Sequence, residues 1–80
     1  MTKVNVIITP KGSILDPHGR AGEAALKSRG YAVERVRVGK FIEVTVPEED
    51  REKAKALVDK FCTELLVNQA MEDYRLEVEE

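Results

Sequence analysis

Val36-Arg37-Val38-Gly39-Lys40-Phe41-Ile42-Glu43-Val44 decides the fold of this chain. It reads as two β-strands meeting at a glycine, over residues 32–38 and 41–46, each alternating apolar and polar side chains. Register follows from parity. A two-residue turn at Gly39-Lys40 sets Val38 opposite Phe41 and leaves Ile42 on the other face. A three-residue loop from Gly39 to Phe41 pairs Val38 with Ile42 and Val36 with Val44. Only that loop, or an equivalent bulge, gathers Val36, Val38, Ile42, Val44 and Val46 on one face, since a one-residue slip flips the whole set. The odd-length loop is therefore expected.

Working back toward the amino terminus, Val4, Val6 and Ile8 alternate with Asn5, Ile7 and Thr9 as a half-buried strand, broken by Pro10-Lys11-Gly12-Ser13. Asp16-Pro17 starts a helix: an N-cap aspartate accepts orphan N–H groups, and a first-turn proline has no N–H to lose. The helix is expected from Pro17 to about Arg29, closed by a left-handed Gly30. Ala21, Ala24, Ala25 and Ser28 fall on one face, and their small side chains suit close packing on a sheet.

Working forward, Pro47-Glu48-Glu49-Asp50 opens a second helix, with acids placed to complement its dipole. Ala54, Leu57, Val58, Phe61, Cys62, Leu65 and Leu66 recur at helical spacing, the strongest periodic signal in the chain. Asn68 is the expected C-cap. Tyr74, Leu76 and Val78 then alternate in a last strand. The order β-α-β-β-α-β predicts an α+β, ferredoxin-like domain spanning residues 1–80, a four-stranded antiparallel sheet with two helices on one face. The bare face carries Ile7, Arg35, Arg37, Phe41, Glu43, Thr45 and Arg75. Ile7 and Phe41, on neighbouring strands, form a small apolar patch suited to self-association.

Bulk properties narrow the function. Eighty residues bury a small core, so disulfides, metals or oligomerisation usually help. Cys62 is the single cysteine and His18 the single histidine, which excludes an internal disulfide and a Cys/His zinc site. Oligomerisation remains. A formal charge of −2 lacks the basic excess expected of a nucleic-acid or anionic-membrane binder. No apolar run approaches the roughly 20 residues of a membrane span, and the start of the chain lacks the apolar core of a signal peptide. The expectation is a soluble, cytoplasmic protein.

Chemical candidates are sparse. Asp16-Pro17-His18-Gly19-Arg20 is either a capped helix start or an anion site aided by Lys11 and Gly12; the Asp16 carboxylate occupies the donors and favours capping. His18 has no orienting partner in the sequence, so a general acid–base role is not assembled. Cys62 lies on an apolar helix face as a small hydrophobe. Arg35, Arg37, Lys40 and Phe41 suggest RNA binding by a sheet, but one phenylalanine does not make a stacking platform, and Glu43, Glu77 and Glu79 break the basic stripe.

Four features, in order and at fixed spacing, resemble the PurS family. They are Pro10-Lys11 followed by Ile14-Leu15-Asp16-Pro17-His18-Gly19; the small-residue helix ending in Arg29-Gly30-Tyr31; Val36-Arg37-Val38-Gly39-Lys40-Phe41-Ile42-Glu43; and Leu65-Leu66-Val67-Asn68 leading to Glu72-Asp73-Tyr74-Arg75-Leu76-Glu77-Val78. The resemblance covers essentially the whole chain. Gln69 departs from it, where the family often has proline, which affects the local turn.

The resemblance implies a non-catalytic small subunit of phosphoribosylformylglycinamidine (FGAM) synthase in purine biosynthesis. It implies a homo-oligomer, at least a dimer, that bridges a PurL-type synthetase and a PurQ-type glutaminase and supports ammonia transfer. No cofactor is implied in this subunit; ATP and magnesium belong to the synthetase. On this reading Arg37, Gly39 and Lys40, with Asp16, Pro17 and Gly19, contact partners, while turn and helix-start roles for Gly39 and Pro17 stay open. The competing functions are a stand-alone ligand-sensing domain on the same scaffold and an acylphosphatase-like hydrolase. The hydrolase needs an arginine that the Pro10-to-Leu15 loop lacks.

Overall fold

The computed structural model describes residues 1–12 and 16–79. Ser13 of the first break, Ile14-Leu15 of the first family feature and Glu80 lie outside them. The elements are β1 (Thr2–Pro10), α1 (Pro17–Ser28), β2 (Lys40–Val46), α2 (Arg51–Phe61) and β3 (Glu72–Val78). A π-helical turn, Cys62–Leu66, extends α2. The class is α+β, with one antiparallel sheet in the order β2-β1-β3.

β1 is central because its alternation is complete. Thr2, Val4, Val6 and Ile8 are buried on the face beneath α2. Opposite them in register stand Val46, Val44, Ile42 and Lys40 on β2, and Val78, Leu76 and Tyr74 opposite Val4, Val6 and Ile8 on β3. Ala54, Val58, Cys62 and Val67 close the core from above. The gathering of Ile42, Val44 and Val46 on one face is as the sequence predicts.

The hairpin is not. Among the described residues, 31–39 contain no strand, and the chain enters β2 without reversing direction. Ile42 and Val44 pair with Val6 and Val4 rather than with Val38 and Val36. Val38 is instead 48% exposed. The alternation of residues 32–38 is thus a strand pattern that finds no neighbour within one chain. The expected fourth strand and the ferredoxin-like closure are accordingly not seen among the described residues.

Helix α1 starts and stops as predicted: Asp16 is the N-cap, Pro17 the first residue, and Gly30 has φ +89° just past the end. Its packing differs. Ala21, Ala24, Ala25 and Ser28 are exposed, and α1 barely touches the sheet. The helix and residues 31–39 form an arm beyond the ends of β1 and β2, in a molecule 49 × 27 × 13 Å across.

Two boundaries also move. α2 begins after Asp50, not at Pro47, because the Asp50 side chain accepts from the N–H groups of Glu52 and Lys53 and defines the first turn. Asn68 does not cap the helix. The Val67 N–H closes the π turn on the Cys62 carbonyl, and Asn68 shapes the following turn by accepting from Ala70, Met71 and Glu72. The wide turn also throws Leu65 out of the apolar face, leaving it 85% exposed.

Candidate functional site

The Asp16 carboxylate organises the start of the arm. One oxygen, Oδ1, accepts from the Gly19 N–H and the other, Oδ2, from the Val38 N–H, each at 3.0 Å. Those two N–H groups, Val38 first, hold the carboxyl below its usual pKa, with His18 and Arg37 adding smaller attractions. The anion-binding reading of this helix start loses its donor, since the Gly19 N–H is already taken. Gly19 is buried where a Cβ would lie 2.4 Å from the Val36 carbonyl oxygen and 2.3 Å from Asp16 Oδ2. A glycine is the residue that fits.

Beside this knot lies a polar cleft of about 460 Å³, lined by Lys11, Arg20, Arg35 and Arg37 together with Asp16, Glu23 and Glu34. Several of these charges are committed. Lys11 pairs with Asp73 at 2.8 Å, Glu23 with Lys27 at 3.7 Å, and Arg35 Nη2 donates to the Gly12 carbonyl at 2.9 Å. Arg37 lines the cleft wall without a hydrogen-bond or ion-pair partner among the described residues. That makes it available to an acidic group from outside, which a forked guanidinium suits.

Gly39 and Lys40 sit at the entrance to β2 and do different things. A Cβ on Gly39 would lie 2.2 Å from the Ile8 carbonyl oxygen, so the glycine lets the chain pass against β1. It makes this close approach with no turn. Lys40 Nζ lies 3.1 Å from Glu72 Oε2. Glu72 is held below the usual carboxylate range, chiefly by the Asn68 N–H and then by Lys40. Asp16, Gly19 and Arg37 are therefore brought together around the arm, with Pro17 at the exposed first turn, whereas Lys40 is drawn toward β3.

On the opposite face of the sheet, Ile7 stands directly between Phe41 on β2 and Arg75 on β3. Phe41 is 60% exposed, so the expected apolar patch is present. Arg35 and Arg37 do not join it, because they lie in the arm. Cys62 is fully buried, and burial pushes its thiol up. Tyr74 donates to Asp59 Oδ1 at 2.6 Å, tying β3 to α2. Sequence reading missed this bond, as it missed the cleft roles of Arg20, Glu23 and Glu34, because no local pattern links residues that meet only through tertiary packing. Among the described residues no three His, Cys, Asp or Glu side chains form a metal-binding group, and no helix is long and apolar enough to cross a membrane.

This geometry defines a small α+β domain whose singled-out residues fix backbone positions and present charge around an arm. Comparison with known proteins makes the class specific. The family model described as PurS, phosphoribosylformylglycinamidine (FGAM) synthase, matches residues 3–80. The phosphoribosylformylglycinamidine synthase subunit PurS of Bacillus subtilis is 47% identical over 81 residues, covering 100% of this chain and 95% of the relative. The crystal structure of Methanocaldococcus jannaschii PurS is 38% identical, with a TM-score of 0.86 over 100% of this chain and 98% of the other. A chain in the structure of PurLQS from Thermotoga maritima is 34% identical, with a TM-score of 0.87 over 98% of this chain and 96% of that one. The chain belongs to the PurS family of FGAM synthase.

Proposed function

We propose that this chain is the non-catalytic small subunit of an FGAM synthase complex in the cytoplasm, bridging a PurL-type synthetase and a PurQ-type glutaminase. The complex converts formylglycinamide ribonucleotide, glutamine, ATP and water to formylglycinamidine ribonucleotide, glutamate, ADP and phosphate. ATP and magnesium act in the synthetase. The observation that carries this reading is the full-length likeness to a chain of the Thermotoga maritima PurLQS structure.

Within the subunit, Arg37 is the contact residue best supported by geometry, since it is exposed and, beyond a weak attraction to Asp16, makes no hydrogen bond or ion pair among the described residues. Asp16, Pro17, Gly19 and Gly39 shape the surface around it, and Lys40 adds charge at its edge. The chain acts as a homo-oligomer, with Ile7 and Phe41 as one contact surface and a completed four-stranded, ferredoxin-like sheet.

The test is co-purification with the synthetase and glutaminase, followed by glutamine-dependent turnover with and without this chain. Assembly and turnover that require the chain support the bridging role. A chain that is stable alone, binds neither subunit and leaves turnover unchanged removes it, and a ligand-sensing domain becomes the reading to pursue. Arg37→Ala and Lys40→Ala each weaken assembly on this proposal; unchanged assembly and activity in both would remove these two residues from the interface.

A further inference from the structure

The polar cleft at the start of the arm has its walls tied together before anything enters it. Asp16 accepts from the N–H groups of Gly19 and Val38 at 3.0 Å each, which fixes α1 against residues 36–38. Arg35 Nη2 reaches the Gly12 carbonyl at 2.9 Å and ties that segment to the end of β1. Lys11 is anchored twice, through its N–H on the Met71 carbonyl at 3.0 Å and its ammonium on Asp73 at 2.8 Å. The volume of the cleft, about 460 Å³, lies in the range of roughly 300–1,000 Å³ that small-ligand sites occupy. Walls fixed in advance spare a ligand the entropy of ordering them.

The charges left over define what fits. Lys11 and Asp73 cancel, as do Glu23 and Lys27. Three guanidiniums, of Arg20, Arg35 and Arg37, then face the carboxylates of Asp16 and Glu34, an excess of one positive charge. The side chains of Arg20 and Glu34 are exposed and make no hydrogen bond or ion pair among the described residues, and Arg37 has only its attraction to Asp16. Among the described residues no aromatic side chain lines the cleft, so a nucleobase has nothing to stack on. A doubly charged phosphate exceeds the surplus and shares the cleft with two carboxylates. A ligand with two carboxylates and one ammonium carries a single negative charge and matches the cleft in both number and sign.

We propose that this cleft binds a free acidic amino acid, an α-amino acid with a second carboxylate. Arg20 on α1 and Arg37 on the extended segment take one carboxylate each by forked hydrogen bonds. Glu34 accepts from the α-ammonium, and Arg35 supplies the remaining charge while it holds Gly12. No short window of sequence joins Arg20 to residues 34–37; the Asp16 clasp does. Selectivity then comes from pairing, since a ligand that lacks one charged group leaves a charge of the cleft unmatched. The inference stands apart from the bridging role, because it is read on the full chain alone.

The test titrates L-glutamate into the full chain and follows backbone amide shifts by NMR, with L-glutamine, glutarate and inorganic phosphate as comparisons. Binding predicts saturable shifts at Gly12, Arg20 and residues 34–38. L-Glutamine lacks the second carboxylate and glutarate lacks the ammonium. Each should bind about tenfold more weakly, the scale of one lost hydrogen bond between charged groups. Arg20→Gln and Arg37→Gln should each weaken L-glutamate about tenfold. Arg37→Lys keeps the charge without the fork and should fall between. Glu34→Gln should weaken L-glutamate without weakening glutarate. The substituted side chains are exposed, and unchanged shifts of buried Val4, Val6 and Val58 report that each variant is folded. Shifts that grow without saturating overturn the proposal. So does phosphate or L-glutamine binding as tightly as L-glutamate, or an affinity for L-glutamate that neither arginine substitution lowers.

Discussion

Asp16 and Val38 are 22 residues apart and joined by a 3.0 Å hydrogen bond from the Val38 N–H to Asp16 Oδ2. The bond makes one residue both the cap of α1 and the clasp of the extended segment. Replacing Asp16 with alanine should speed amide exchange at both Gly19 and Val38 about tenfold, the scale of losing one hydrogen bond to a charged acceptor. Asp16→Asn keeps one acceptor and should slow exchange again at one of the two. Because the folded carboxyl is held below its ordinary pKa, this contribution is present above the unfolded pKa. It is lost as pH falls through the depressed folded value. Protection that vanished already near pH 5 would contradict the assignment.

The glycines separate by the room around them. Gly39→Ala and Gly19→Ala place a Cβ within 2.2 and 2.4 Å of backbone oxygens that cannot move far, and each should destabilise by about 1–3 kcal/mol. Gly22→Ala meets ordinary contact at 3.5 Å within α1 and should stabilise by about 0.5–1 kcal/mol through helix propensity. Urea denaturation of the three variants is the comparison; equal effects at Gly22 and Gly39 would refute it.

Adjacent isoleucines on β1 face opposite ways. Ile8 is 1% exposed, and Ile8→Ala should cost about 3 kcal/mol by leaving a cavity under α2. Ile7→Ser on the outer face should leave the unfolding of a single chain nearly unchanged, while weakening any association made through that face. Thermal unfolding and sedimentation of the two variants give opposite rankings if this is right.

Tyr74 should ionise late. Its bond to Asp59, followed by burial and the nearby carboxylate charge, pushes the phenol up to about 12. A folded pKa above the unfolded value means stability is fully present below about 10 and declines as pH rises toward the folded value. Ultraviolet titration of a Tyr31→Phe protein isolates Tyr74. Asp59→Asn should bring its midpoint down, and an unmoved midpoint would rule out the bond as the cause.

The local rules carried β1, β3, both ends of α1 and the apolar set of β2, because each depends on a short window of sequence. Asp16-Pro17 and Gly30 set α1 whatever it packs against. Placement of that helix was not legible. Ala21, Ala24 and Ala25 report a face made for close packing, but not whether the surface it meets belongs to the same chain. The same holds at Gly39, where two strand patterns separated by a glycine look alike whether the chain reverses or runs on. For the site, capping by Asp16 could be read in advance, whereas the Val38 clasp needed residues 36–39 in place. Leu65 fits the helical period, and only the π turn explains its exposure.

The tightness around Gly19 and Gly39 changes what inheritance can act upon. At these two positions selection would act on a distance, the gap between an absent Cβ and a carbonyl oxygen, and not on any reactive group. A lineage could alter the charges of the neighbouring cleft to suit a changing partner while these two bare backbone positions stayed fixed. Adaptation of the surface and persistence of the arm are thus uncoupled within a few residues of one another.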